Sequence, residues 1–291
     1  MIPLDWVGIE CHSEVERFAR GDWAGAYDGK NFMIALSGYT AFFDRSADDG
    51  FVAEGGTVVA GFVSTIEQWA LWEKEWKDVL RRFRVPYFHM KEFAPSKKVF
   101  SGTEWADNNY RRDFVAALVG TLKRWAMISV ADYMEHQIYR DAKKLTEVEK
   151  TFNPFVECGR NCALQVKNFI RNELRSGLPI SYVFEQGDEG KGMLIDMMLR
   201  SELPSPSFKR PRPDPEHPHL DRDDPPMIQL QAADLLAWEI RRWKTDYRNG
   251  AKMRQSLKSF CGLENNIWKE CTYTDMASVI LSAKIPRKEK P

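Results

Sequence analysis

From Ile66 to Phe83 apolar residues recur at intervals of three and four: Ile66, Trp69, Trp72, Trp76, Val79, Leu80 and Phe83. At 3.6 residues per turn they form one stripe of an amphipathic helix. A stripe with three indoles must be covered by an apolar layer, and the flanking sequence supplies it. Met33 to Phe43 and Phe51 to Phe62 read as strands, joined by a polar turn over Arg45 to Gly50. Capping-box spacing opens the helix twice, as Ser64 with Glu67 and Thr65 with Gln68, and Pro86 ends it.

The same alternation continues. A helix is expected from Glu104 to Trp125, a strand from Met127 to Tyr133, and a long helix from Pro154 to Leu174. Pro179 to Glu185 alternates as a strand until Gly187, and Asp188 is placed to cap a helix from Glu189 to Leu199. Leu203 to Pro226 holds eight prolines and reads as a long surface loop without regular structure. Gln229 to Tyr247 returns to a helix, and weaker helical segments follow. Residues 1–32 read as an extension with one short helix from Ser13 to Ala19, and residues 284–291 as a basic tail. Residues 33–283 then form a single α/β domain, a sheet covered by helices.

Composition narrows the function. With 43% apolar residues in 291, the chain can bury a core, which excludes a disordered protein. Lys plus Arg equals Asp plus Glu at 42 each, so any nucleic-acid contact must come from a local patch. The five Cys include no Cys-x-x-Cys pair, which favours a reduced cytoplasmic setting over disulfides or a zinc knuckle. Cys158 and Cys162 share a helix face as buried small residues. The longest apolar run, Thr57 to Val63, falls short of the ~20 residues that span a bilayer. Asp5 and Glu10 stand where a secretory leader would be basic, so neither membrane nor export is expected.

Three acids sit in surroundings that argue against simple solvation. Asp44 and Glu185 each close an apolar strand, and ligands of open α/β sheets bind beyond the carboxyl ends of strands. Asp also favours the start of a turn, so that plainer role stays open for each alone. Asp234 lies in Leu230-Gln231-Ala232-Ala233-Asp234-Leu235-Leu236-Ala237-Trp238, a helix apolar on nearly every side. A carboxylate buried there requires a cation, a hydrogen-bond network or a proton, a distant Arg being the plainest partner. If the three converge, they repel one another, and a divalent cation such as Mg²⁺ or Mn²⁺ relieves the repulsion.

His89, between Phe88 and Met90, reads either as a packed core residue or as a proton carrier at a site. Lys91 and Arg241 are the candidates for holding a substrate phosphate; Arg241, two turns beyond Asp234, is equally placed to neutralise it. Lys97-Lys98, Lys209-Arg210 with Arg212, and Arg241-Arg242 with Lys244 and Arg248 read as solvated surface, and His217 and His219 as exposed.

These pieces also occur in a familiar order. Phe43-Asp44-Arg45-Ser46, the Trp-rich helix, Tyr87-Phe88-His89-Met90, Phe184 to Gly190 and Gln229 to Ala237 resemble the domain-of-unknown-function 3800 family over residues 33–245. The resemblance implies a ribonuclease-H-like fold, a mixed sheet flanked by helices with Asp44 on the first strand, Glu185 on a later one and Asp234 on a helix beside it. It implies that these three hold Mg²⁺ or Mn²⁺ for hydrolysis of nucleic-acid phosphodiesters, assisted by Asp188 or His89. One departure stands out. The family commonly has Asp-Glu-Ser-Gly or Asp-Asp-Ser-Gly where this chain has Asp44-Arg45-Ser46-Ala47. Arg45 either points away by strand alternation or takes the metal position, pairing with Asp44 or Asp234. The latter would make the protein a catalytically silent module binding nucleic acid or a protein partner.

Overall fold

The computed structural model describes residues 38–47, 55–144, 153–214, 221, 224–248, 252–260 and 266–270. The expected extension over 1–32 with its Ser13–Ala19 helix, His217, His219 and the 284–291 tail lie outside the described residues.

The first three strands of the described residues are antiparallel: β1 (Tyr39–Ala47), β2 (Gly56–Thr65) and β3 (Ile128–Glu135). β4 (Ile180–Glu185) then pairs parallel to β1, β5 (Ser207–Lys209) parallel to β4, and β6 (Asn266–Glu270) parallel to β3. The result is a mixed six-stranded sheet in the order β5-β4-β1-β2-β3-β6. On one face lie α1 (Ile66–Arg82), the one-turn α2 (Met90–Phe93), α3 (Asn108–Trp125), α7 (Gln229–Arg248) and α8 (Gln255–Phe260). The other face carries α5 (Pro154–Asn168) and α6 (Lys191–Arg200). A further helix, α4 (His136–Lys144), follows β3 directly.

Period-two alternation assigns each strand residue to a face. Phe42, Val58, Ala60, Phe62 and Val183 join the core beneath α1 and α7, whereas Ala41, Phe43, Val59, Val63 and Phe184 join the core beneath α5. The Trp stripe of α1 is fully buried, with Trp69 edge-on to Phe42 at 5.2 Å and to Trp72 at 5.3 Å. Its cap is Thr65, whose hydroxyl accepts from Gln68 N at 3.2 Å. Gly61 makes close approach of β1 and β2 possible, because a Cβ there would lie 1.8 Å from the Phe42 carbonyl oxygen.

Several expected boundaries move, each for a tertiary reason. β1 continues through Arg45 and Ser46 to Ala47 instead of turning at Arg45, because β2 extends to Thr57 and offers partners along that length. Residues Thr103–Ala106 form a 3₁₀ turn, and α3 starts only where the Asp107 carboxylate caps Asn109 N at 2.8 Å. The expected helix over 154–174 ends in a π turn, Phe169–Glu173. Asp188 does not cap α6; Gly190, in the left-handed region at φ 102°, occupies that position. The Pro-rich segment is not wholly irregular, since Ser207–Lys209 falls between prolines and adds to the sheet edge, where proline-flanked strands are tolerated. The residues after α8 include β6, where helical segments alone were expected. Cys158 and Cys162 are buried on the inner face of α5, their thiols donating to the Thr57 and Val59 carbonyls at 3.9 and 3.3 Å.

Candidate active site

Parallel pairing of β1 with β4 puts Phe43 level with Phe184. The next residue on each strand is an acid, Asp44 and Glu185, two positions beyond Phe42 and Val183 and so on the α7 face. Neither acid is turned to open water: Asp44 is 8% exposed. Burial pushes the Asp44 carboxyl well above the usual carboxylate range, and the charges of Glu185, Asp234 and Asp188 add to it. Burial and then the Asp234 charge push Glu185 up to about 7, against a hydrogen bond with Asp44. A side-chain hydrogen bond joins the two strand acids.

Asp234 enters from α7, one of the most enclosed helices of the protein, with Leu230, Ala233, Leu235, Leu236 and Ala237 all at 0% exposure. Its Oδ2 accepts from Met90 N at 2.7 Å. One turn earlier, Gln231 Oε1 accepts from Phe88 N at 2.9 Å and from Trp76 Nε1 at 3.2 Å, while its Nε2 donates to the Pro211 carbonyl at 2.9 Å. Phe88 and Met90 are alternate residues of the segment after α1, and their buried amides would otherwise lack acceptors. Gln231 and Asp234, three apart on one helix face, thus dock this segment and the Pro-rich segment onto α7. Burial raises Asp234 to about 6, with the His89 charge and the Met90 amide working against that rise. Of the three partners open to Asp234 from sequence, the structure supplies a hydrogen-bond network.

All seven expected site residues, Asp44, His89, Lys91, Glu185, Asp188, Asp234 and Arg241, line one cavity of about 520 Å³. Their roles differ. Asp188 forms an ion pair with Arg45, Nε to Oδ1 at 2.6 Å. Arg45 alternates away from Asp44 along β1, so its guanidinium meets the loop after β4 and not Asp44 or Asp234. Burial raises Asp188 while Arg45 lowers it. Arg241 Nε donates to Ser46 Oγ at 2.9 Å, which fixes its guanidinium at the cavity wall. His89 is half-buried, with Nδ1 3.4 Å from Glu92 Oε1, so it belongs to the cavity and not to the hydrophobic core. Lys91 stands exposed at the rim.

Sequence reading missed several members. His136 and Trp238 also line the cavity, as does Arg45, which the sequence places either here or facing away. Glu92, buried at 4%, collects the Lys98 ammonium at 2.9 Å, the Arg212 guanidinium at 2.8 Å and the Tyr87 hydroxyl at 2.8 Å. Burial would raise its proton affinity, but these bonds outweigh it and hold Glu92 down to about 2. Arg212 also lies 4.6 Å over the Tyr87 ring, and its charge reaches Glu185 and Asp234. The basic segments are therefore not plain solvated surface: Lys209 pairs with Asp224 at 2.7 Å and Arg210 with Asp221 at 3.0 Å. The Arg212–Glu92 pair left no signal in the sequence, because its partners lie 120 residues apart.

Among the described residues, no three His, Cys, Asp or Glu side chains converge in an arrangement that could hold a metal ion. No helix among them is long and apolar enough to cross a membrane. Comparison of the chain with family models, curated proteins and solved structures finds no match.

Proposed function

We propose that this protein is a divalent-metal-dependent nuclease with a ribonuclease-H-like fold, acting on nucleic-acid phosphodiesters. The observation that carries the reading is the meeting of Asp44, Glu185 and Asp234, from two parallel strands and a helix far apart in sequence, on one cavity wall. The mixed sheet, with an acid on its first strand, another on the neighbouring parallel strand and a third on a helix packed over the first, supports the fold assignment.

The donors are of the type a hard cation takes, being all carboxylate oxygen, buried and mutually repelling, but as the side chains stand no three of them converge to hold one. A side-chain hydrogen bond joins Asp44 and Glu185, and Asp234 is engaged with Met90 N. Binding of Mg²⁺ or Mn²⁺ by these three would supply charge stabilisation at phosphate oxygens and a water of lowered proton affinity. The rest of the chemistry falls to the chain itself. Lys91 and Arg241 bind phosphate at the rim and wall. His89, with Nδ1 turned toward Glu92, presents Nε2 as the ring atom to hold or move a proton. The cavity lies within the range that encloses a small ligand.

The test is cleavage of labelled single- and double-stranded DNA and RNA with Mn²⁺ or Mg²⁺. Asp234→Asn keeps an oxygen to accept from Met90 N, so its melting temperature should stay near the parent's. Its activity should fall by more than the ~10–100-fold that follows loss of an outer partner of a metal site. Parent-level activity in Asp234→Asn would refute the assignment.

A second reading has its own observation. Arg45 pairs with Asp188, so one acid of the cavity is already neutralised within the protein. On that basis the domain is a catalytically silent module that binds nucleic acid or a protein partner.

A further inference from the structure

The face of α7 that carries Asp234 continues along the cavity. Trp238 lies four residues on and Arg241 three beyond that, so an acid, an indole and a guanidinium are stacked along one wall. Of the half-buried indoles packed against this core, Trp125, Trp238 and Trp243, Trp238 is the one that lines the cavity. Trp69, Trp72, Trp76 and Trp105 are fully buried, whereas Trp238 is only half-buried and borders the cavity. Its ring is backed by the Arg254 guanidinium, 5.0 Å from the ring centroid. Arg241 is held in a defined plane by Ser46, and Lys91 stands across the mouth. A flat aromatic platform between an acid cluster and a fixed guanidinium matches the repeat of a polynucleotide, in which a base lies beside each phosphate.

We propose that Trp238 is a stacking platform for one unpaired base of the substrate, with Arg241 holding the adjoining phosphate, and that the protein therefore prefers single-stranded nucleic acid. The inference rests on the cavity taking nucleic acid, as proposed above, and names which form. A base in a duplex already stacks on both faces and has nothing to gain from an indole. An unpaired base gains a stacking energy large enough to be felt in affinity, and does so whatever its identity. The overall neutrality of the chain makes this local, since no global field is present to hold a duplex by its phosphates alone.

The test is fluorescence anisotropy with a labelled 12-nucleotide single strand and the matching duplex, in EDTA so that cleavage does not intervene. The intact protein should bind the single strand more tightly than the duplex. Trp238→Leu, which retains apolar volume but loses the π face, should weaken single-strand binding about tenfold, and Trp238→Phe should restore most of it. Arg241→Ala should weaken binding and flatten its dependence on salt. Thermal melting of each variant checks that the fold is retained. Equal affinity for single strand and duplex, or parent-like binding by a folded Trp238→Leu, overturns the proposal. The parent reading fails separately: a protein that binds single strands through Trp238 but cleaves nothing with Mn²⁺ refutes the nuclease and supports the platform. One that cleaves with an unchanged KM in Trp238→Leu does the reverse.

Discussion

Glu92 and Glu185 are the same residue type and lie in neighbouring parts of one fold, yet they are opposite in electrostatic character. Glu92 is encircled by donors, Lys98, Arg212, Tyr87 and His89, and is held down to about 2. Glu185 faces Asp44 and Asp234 and is pushed up to about 7. Burial raises the proton affinity of both. What separates them is the sign of what each one faces: cations and donors make Glu92 a strut, whereas like charge surrounds the Asp44–Glu185 pair, where the proposed cation would act.

Three experiments bear on that contrast, the largest expected effect first. If the acid pair is a cation site, Mn²⁺ at a hundredfold its dissociation constant should stabilise the protein by about 2.7 kcal/mol. Asp44→Asn should abolish the shift, whereas Glu92→Gln should leave it intact. A melting curve unmoved by Mn²⁺ in the parent protein would favour the silent module.

Glu92→Gln should destabilise the fold by about 2 kcal/mol, since Arg212 and Lys98 lose their shared anion but remain partly solvated. The pH dependence follows with a definite sign. Because its folded-state value is depressed, Glu92 contributes stability that is present above ~4.5 and is lost as pH falls toward about 2. Glu185 is the reverse: its raised value gives stability that is full below ~4.5 and lost as pH rises through about 7 in metal-free protein. Denaturation followed from pH 2 to 8 should show Glu92→Gln flattening the acid limb and Glu185→Gln the neutral one. Loss of both limbs in one variant would break the distinction.

The smallest effect belongs to Arg45→Ala. The Arg45–Asp188 pair is partly exposed, with side chains 30% and 15% accessible, so its removal should cost no more than ~1 kcal/mol of stability. Its value lies in activity: unchanged cleavage would show that the cation standing where the resembled family has an acid is tolerated.

Much of the fold was legible because its determinants are short-range. The Thr65–Gln68 cap and the Trp stripe of α1 act within one helix and carry over directly. The apolar alternation of β4 up to Glu185 and the enclosed character of α7 are likewise local patterns. Where β1 ends was not legible, because Arg45 and Ser46 become strand only by pairing with Val59 and Val58. Nor was β5, three residues among prolines that take their conformation from β4.

The candidate site divides along the same line. Sequence by itself singled out Asp44, Glu185 and Asp234, because a carboxylate in apolar surroundings is costly and so conspicuous wherever it occurs. It determined the elements that carry them. Only the tertiary structure decided what each acid meets: Glu185 beside Asp44 through one strand register, Asp234 against the Met90 amide, Arg45 against Asp188, and Glu92 against an Arg212 that lies 120 residues away. Electrostatic pairing acts over a few ångströms of space with no reference to distance along the chain, so the partners became visible only when the sheet and α7 brought them together.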